Sequence, residues 1–380
     1  MIVALARSGA VFVWALGCGA AHAQSFEPRG RLQFDLISSN WETADEDGSY
    51  GVVRRAFLGA QGELGAGWRY KADLVFTPDS DARVDDAYFQ YRRGDWSVLV
   101  GEHKLTAPLE DQISSLDIPF NERSSFVNAF GYGRRLGVGV TRSGQNWSAS
   151  VAAQTDSLNG YLTSRANEEA RLYSARATFA PVLDDANGRL VHVGAHVHVR
   201  DRGENPARFR TRPLNGRDAR WIDAGSALAG ESDVSYGVEA AAQHGRFGAQ
   251  AEYAWLDGEA VGGADFNFEG GYLDLSWSLT GEPRVYRASN GAFRAIEPAH
   301  AVTAGGPGHW MVAARYDYVD LSDPGGGAAR GTQSAYALGL DWIPAAHIRF
   351  KFNVAVSEMD RTFGPDDQAR IVSLRTQFDF

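Results

Sequence analysis

Arg370-Ile-Val-Ser-Leu-Arg-Thr-Gln-Phe-Asp-Phe380 decides the fold. In an extended strand successive side chains point to opposite faces. Val372, Leu374, Thr376, Phe378 and Phe380 therefore share one side, while Ser373, Arg375, Gln377 and Asp379 share the other. One face is oily and the other is wet, so the strand separates two different media.

The same two-residue rhythm recurs in fifteen further runs, near 30–39, 51–62, 67–77, 84–92, 95–103, 133–142, 146–155, 170–180, 188–200, 233–244, 247–256, 270–280, 308–320, 332–342 and 347–358. Trp68, Tyr70, Ala72, Leu74 and Phe76 alternate with Arg69, Lys71 and Asp73; Ile348, Phe350, Phe352 and Val354 alternate with Arg349, Lys351 and Asn353. Each run is about as long as the 9–11 residues that a tilted membrane strand needs. The connections alternate too. Short Gly- or Pro-marked turns (62–66, 93–94, 143–146, 244–246, 343–347) alternate with longer loops such as 104–132 and 201–232. The reading is all-β: one domain over 24–380, a sixteen-stranded antiparallel transmembrane barrel with short turns at the periplasm and long loops outside. Segment 281–307 breaks the rule, being a long connection on the short-turn side. Long irregular segments in compact domains usually carry function.

Residues 1–23 read as a signal peptide: Arg7 supplies charge, 10–16 are mostly apolar, and Ala21-His22-Ala23 is a small-x-small cleavage site. Cys18 is the only cysteine, so the mature chain has no disulfide or thiolate chemistry. After the signal, no stretch approaches the ~18 apolar residues of a spanning helix. The 10 Trp, 14 Tyr and 20 Phe suit barrel strands with aromatic ends. A formal charge of −10 argues against nucleic acid as a partner. Of 37 basic residues only Lys71, Lys104 and Lys351 are lysine. The rest are guanidinium groups, which bind oxyanions in bidentate fashion and keep their charge.

Several segments resemble the phosphate- and polyphosphate-selective porin family of the O/P type. The most specific is Leu279-Thr-Gly-Glu-Pro-Arg-Val-Tyr286 with Phe293, Ile296 and Pro298, which is the unusual long turn. Gly30-Arg-Leu-Gln33, Arg54-Arg-Ala-Phe-Leu58, Val191-His192 with Arg200-Asp201, Arg210-Thr-Arg-Pro213, Leu109-Glu110 and Glu122-Arg123 are individually weaker. The resemblance implies a trimeric barrel in the outer membrane, with loops folded inward and an arginine ladder leading to a cationic constriction. Strand parity aims Arg31 and Arg55 inward and puts Arg54 near a rim. Arg208, Arg210 and Arg212 stand in the loop that would guide anions. Arg123, Arg287 and Arg294, with Ser114 and Ser115, would line the narrow zone, and Asp85 matches an acidic lumen position of the family.

The chain also departs from the family pattern. The family's Leu-Glu-Lys is Leu109-Glu110-Asp111 here, and of two cluster lysines in the long turn the first aligns with Arg287 and the second with Glu297. Each change from lysine to acid shifts the local charge by two units. Phosphate selectivity is therefore the weaker part of the implied function.

His192, His196 and His198 share one inward face, which is read as polar lumen filling and not as a metal site. No Gly-x-Ser-x-Gly motif supports an enzyme, and no cofactor is expected. The functional expectation is passive diffusion of small inorganic anions through a pore set in outer-membrane lipid and lipopolysaccharide. The alternatives are a general or uncharged-solute porin without phosphate selectivity, or a non-conducting structural or adhesive barrel.

Overall fold

A computed structural model describes residues 24–380 apart from 78–79, 164–165, 167–168, 204–206, 227–229, 324 and 328. The expected signal segment lies outside the described residues. Sixteen antiparallel strands pair in chain order and close on themselves. They run from Glu27–Trp41 through Gly48–Gly65, Trp68–Thr77, Ser80–Arg93 and Trp96–His103 to Gly331–Ala345, Ile348–Arg361 and Asp367–Asp379. The first strand pairs with the last from Arg31 opposite Asp379 to Trp41 opposite Ala369. Closure removes both sheet edges, so the spanning backbone groups find partners within the barrel without water.

Burial is inverted relative to a water-soluble protein. Lys351 is fully buried and Arg375 1% exposed, while Leu338 is 61% and Leu58 57% exposed. On the closing strand Val372, Leu374 and Phe378 are exposed and Ser373, Arg375 and Gln377 buried, as the alternation predicts. Aromatic rings gather in two belts. One lies towards the short-turn end, with Trp310 stacked on Trp342 and Phe247 on Trp277. The other lies towards the long-loop end, with Tyr236 stacked on Trp255 and Tyr316 beside Tyr336. Such belts mark the two membrane interfaces.

The lumen is half filled. The loop after the fifth strand turns inward and forms two short helices, α1 (Leu109–Gln112) and α2 (Ser125–Phe130). Phe126 and Phe130 of α2 pack with Phe209, Ile222, Leu256 and Tyr272. From the opposite end the long turn sends in a hairpin, Val285–Arg287 paired with Ala292–Arg294. Its Tyr286 and Phe293 meet Leu109, Ile113 and Ile118 against Ala180, Leu190 and Ala241 of the wall. A loop from one side and a turn from the other thus share one apolar core inside the barrel. A cavity remains beside the first five strands.

Arginines stitch this filled half to the wall. Arg315 bonds Asp274 at 2.7 Å and Glu110 of α1 at 2.5 Å. Arg176 holds Glu239 with two bonds and the hairpin carbonyls of Asn290 and Gly291 with two more, both at 2.7 Å. Arg375 binds Asp35 at 2.7 Å through both oxygens and the Asn121 carbonyl at 2.5 Å. The inward charges of the wall therefore also act as fasteners.

Candidate functional site

Inside the barrel lies a cavity of about 750 Å³. It is bounded by the inner faces of the first five strands and by the loop segments 104–105, 111–116 and 127–134. Eight of its lining side chains are cationic (Arg29, Arg31, Arg54, Arg55, Lys71, Lys104, Arg123, Arg134) and five are Asp (Asp73, Asp85, Asp86, Asp111, Asp379).

Two register shifts shape this lining. The first strand pairs Gln33 with Arg55 but Phe34 with Val53, so Arg54 is an extra residue in the second strand. This β-bulge lets consecutive arginines both face the passage; the rim position that alternation assigns to Arg54 is replaced by a lining one. The third strand pairs Ala72 with Ala87 and Leu74 with Val84, so Asp85 and Asp86 together oppose Asp73 and both line the cavity. Bulges that re-aim side chains are common beside functional sites.

Most of the charges are paired. Arg29 lies 3.4 Å and Lys71 3.2 Å from Asp73. Lys71 also bonds Asp86, and Arg134 bonds Asp86 at 2.6 Å and Asp85 at 3.0 Å. Lys104 and Arg123 share one oxygen of Asp111, at 2.9 and 3.0 Å. Arg54 grips Glu122 with two bonds of 2.8 Å. Among the described residues, Arg31 and Arg55 are the two lining cations with no carboxylate within 4 Å. Arg31 instead donates to Ser115 Oγ at 3.0 Å and to Ser114 Oγ at 3.3 Å, with its guanidinium 5.1 Å from the Phe57 ring.

The loop charges are strongly perturbed. Burial would raise the Glu122 carboxyl, yet Arg54, with help from Arg375 and Arg55, holds it down at about 2. Burial likewise opposes ionisation of Asp111, but Lys104 and Arg123 keep its carboxyl below the ordinary range. Lys104 is pulled down to about 7 by burial, against the attraction of Asp111 and assisted by repulsion from Arg123 and Arg134.

The structure thus brings together Arg31, Arg54, Arg55, Asp85, Ser114, Ser115, Arg123 and Asp111 around one cavity. It sets the other predicted residues apart. Arg208 is paired with Asp223 at 2.8 Å, and Arg212 donates to the Asp218 carbonyl at 2.7 Å. These two, with Arg210, stand above the cavity on the long-loop side. A side chain placed on Gly216 of the same loop would strike Arg54, so this part of the loop touches the lining, and Arg212 is close enough to feel Arg54 and Glu122. Arg220, with Arg212 and Arg210 nearby, is lowered to about 10, first by burial and then by their repulsion. On the short-turn side Arg287 and Arg294 lie on the exposed face of the hairpin and Glu297 is exposed beyond it. Of that segment, Asn290 reaches the cavity.

The histidines are absorbed into packing. His192 contacts Tyr286 and Glu239 at 2.6 and 3.0 Å, and His198 Nε2 lies 3.1 Å from the Thr106 carbonyl. His196, Glu239 and Glu252 approach metal-ligand spacing. The oxygens of Glu239 already accept from Arg176, His192 and the Leu109 N–H, while both ring nitrogens of His196 are buried without a hydrogen-bond partner. Sequence reasoning aimed Lys71 and Asp73 inward without naming them as site residues, and it missed Arg29, Asp86, Lys104 and Arg134 as lining residues. Strand parity marks Lys71 and Asp73 as inward, but the bulge at Asp85-Asp86 and the inward path of loop 104–134 leave no such periodic signal.

The model of the family described as phosphate-selective porin O and P matches residues 26–380. An "uncharacterized protein" of Caulobacter vibrioides is 32% identical over 378 residues, covering 94% of this chain and 74% of that protein. Porin O of Pseudomonas aeruginosa is 26% identical over 410 residues, covering 94% and 88%. Among solved structures, Pseudomonas putida OprB aligns with a TM-score of 0.61 at 11% identity, covering 93% of this chain and 94% of that one. The anion-selective porin from Comamonas acidovorans aligns with a TM-score of 0.59 at 10% identity, covering 94% and 100%. These structures share the barrel, and the family match spans its whole length: this chain belongs to the phosphate-selective porin O and P family.

Proposed function

We propose that the protein is a passive outer-membrane pore for small anions of the phosphate type. The family and the barrel fold point to the outer membrane, and both are typical of channels and not of enzymes. The observation that carries anion preference is the pairing of charges in the cavity: Asp73, Asp85, Asp86 and Asp111 are each matched by a lysine or arginine and Asp379 lies 3.4 Å from His347, which leaves one such acid against Arg31 and Arg55, two guanidiniums with no carboxylate partner. Two unmatched guanidiniums in a narrow, low-dielectric passage attract anions, repel cations and replace part of a lost hydration shell. Ser114 and Ser115, now bonded to Arg31, supply hydroxyl donors beside it. Arg210 and Arg212 of the long loop extend the positive field outward while Arg208 is matched by Asp223, and Arg287 and Arg294 extend it at the short-turn mouth. Conduction needs binding that is weak and repeated, which suits cations spread along the path.

A homotrimer belongs to the same reading, since OmpT of Vibrio cholerae, a structural neighbour with a TM-score of 0.56, is described in a trimer form. The signal segment 1–23 would direct export. The test is the reversal potential of the purified porin in a planar bilayer under a salt gradient. Anion preference is expected; cation preference, or no conductance, would overturn the proposal.

A further inference from the structure

The departure from the family pattern at Asp111 gains meaning from the geometry around it. Position 111 carries an acid where the resemblance leads one to expect lysine. Asp111 does not face the passage alone. Its Oδ1 lies 2.9 Å from Lys104 Nζ and 3.0 Å from Arg123 Nε. All three side chains line the passage and are at most 15% exposed. Arg123 is also tied to the loop backbone: its Nη2 donates to the Ile113 carbonyl at 2.7 Å, and its Nε, the atom nearest Asp111, donates to the Glu110 carbonyl at 3.3 Å. Arg134 stands close enough to perturb Lys104 but spends its own bonds on Asp85 and Asp86.

One oxygen held between an ammonium and a guanidinium is the arrangement that recognises an oxyanion. Here the oxygen belongs to the protein. We propose that Lys104 and Arg123 form an oxyanion subsite of the pore that Asp111 occupies from within, Lys104 restoring from seven residues upstream the ammonium lost at position 111. This assignment deepens the anion-pore reading and rests on it. A permeant with two or more acceptor oxygens, such as inorganic phosphate, displaces or shares the Asp111 carboxylate, taking Lys104 with one oxygen and Arg123 with another. The subsite carries two cations against one anion, so it still favours anions, but its affinity is kept low by the built-in competitor. The lowered affinity of Lys104 for its proton fits an ammonium that burial strains and one carboxylate supports.

The test uses block of chloride conductance by inorganic phosphate in planar bilayers, together with the reversal potential. Asp111→Asn keeps the shape and removes the competitor; the half-blocking phosphate concentration is expected to fall about tenfold. Lys104→Met in the wild-type background should raise it about threefold, and in the Asp111→Asn background should cancel the gain. Lys104→Arg should retain the block. An unchanged half-blocking concentration in Asp111→Asn, or a gain that survives Lys104→Met, overturns the assignment. If Asp111→Asn fails to insert, the single Lys104→Met variant decides, and an unaltered block sinks the proposal. A wild-type pore that prefers cations would instead sink the anion reading itself, so the two failures are distinguishable.

Discussion

Arg54 closes both nitrogen arms on Glu122, at 2.8 Å each, and so ties a wall bulge to the inward loop. Glu122 also lies 3.3 Å from Arg375, which already holds Asp35. One loop carboxylate therefore joins the second strand to the sixteenth across the seam of the barrel. Glu122→Ala leaves two guanidiniums short of a partner in a confined space. Removing one member of a buried pair costs about 3–5 kcal/mol, and retention of Asp35 by Arg375 puts this case at the lower end. A lowered melting transition by circular dichroism is expected, with noisier single-channel current; an unchanged transition would show that the tie contributes nothing.

Acid should weaken the same tie. The folded Glu122 carboxyl sits at about 2 against an ordinary 4.5. Its contribution is complete above pH 4.5 and is lost as pH falls from there towards 2. Wild type should lose stability over that window more steeply than Glu122→Gln, and parallel acid titrations would contradict the assignment.

Arg31 and Arg55 should control selectivity and not stability. Arg31→Gln with Arg55→Gln removes the two unmatched charges and should move the reversal potential towards zero selectivity, with a melting change within about 0.5–1 kcal/mol. If the reversal potential of this double variant equals that of wild type, these residues are not on the conduction path.

The charge of Lys104 should make the pore pH-sensitive near neutrality. Its folded ammonium is lowered to about 7, with Asp111, Arg123 and Arg134 as the charged groups acting on it. Anion preference is therefore expected to decline from pH 6 to pH 8.5. Lys104→Arg, which cannot deprotonate in this range, should flatten the profile. The accompanying stability change has the opposite sense: with the folded value below the ordinary 10.5, folding gains as pH rises through 7. A flat wild-type selectivity profile would count against it.

Arg315 predicts a contrast between fastening and conducting arginines. It bonds Asp274 and Glu110, and its guanidinium lies 4.6 Å from the Phe120 ring and 4.8 Å from the Tyr272 ring. Arg315→Leu should cost about 3–5 kcal/mol and, by releasing α1, raise single-channel conductance. Lower conductance with intact stability would place Arg315 in the path instead.

The barrel was legible because its signal is periodic. Val372, Leu374 and Phe378 face outward and Arg375 and Gln377 inward as the alternation requires, and each of the sixteen runs became a strand. The lining of the cavity was legible where parity applied, as at Arg31 and Arg55, and where a loop was read as turning inward, as at Ser114 and Ser115. It was opaque where a bulge breaks parity, as at Arg54 and Asp86, and where a loop chooses its partners in space, as Lys104 does with Asp111. The abundance of arginine misled for a related reason: a guanidinium reads the same in sequence whether it faces a permeant or, like Arg315 and Arg176, a neighbouring carboxylate.

The seam between the first and sixteenth strands runs along the passage. Gly30 and Phe380 exchange backbone hydrogen bonds of 3.0 and 3.1 Å there, and Arg29, Gly30, Arg31, Asp379 and Phe380 all border the cavity. The conduit is thus completed by the same zipping step that completes the cylinder. A half-assembled chain has no finished channel to leak through, and any force that unzips it splits the molecule lengthwise through its own bore.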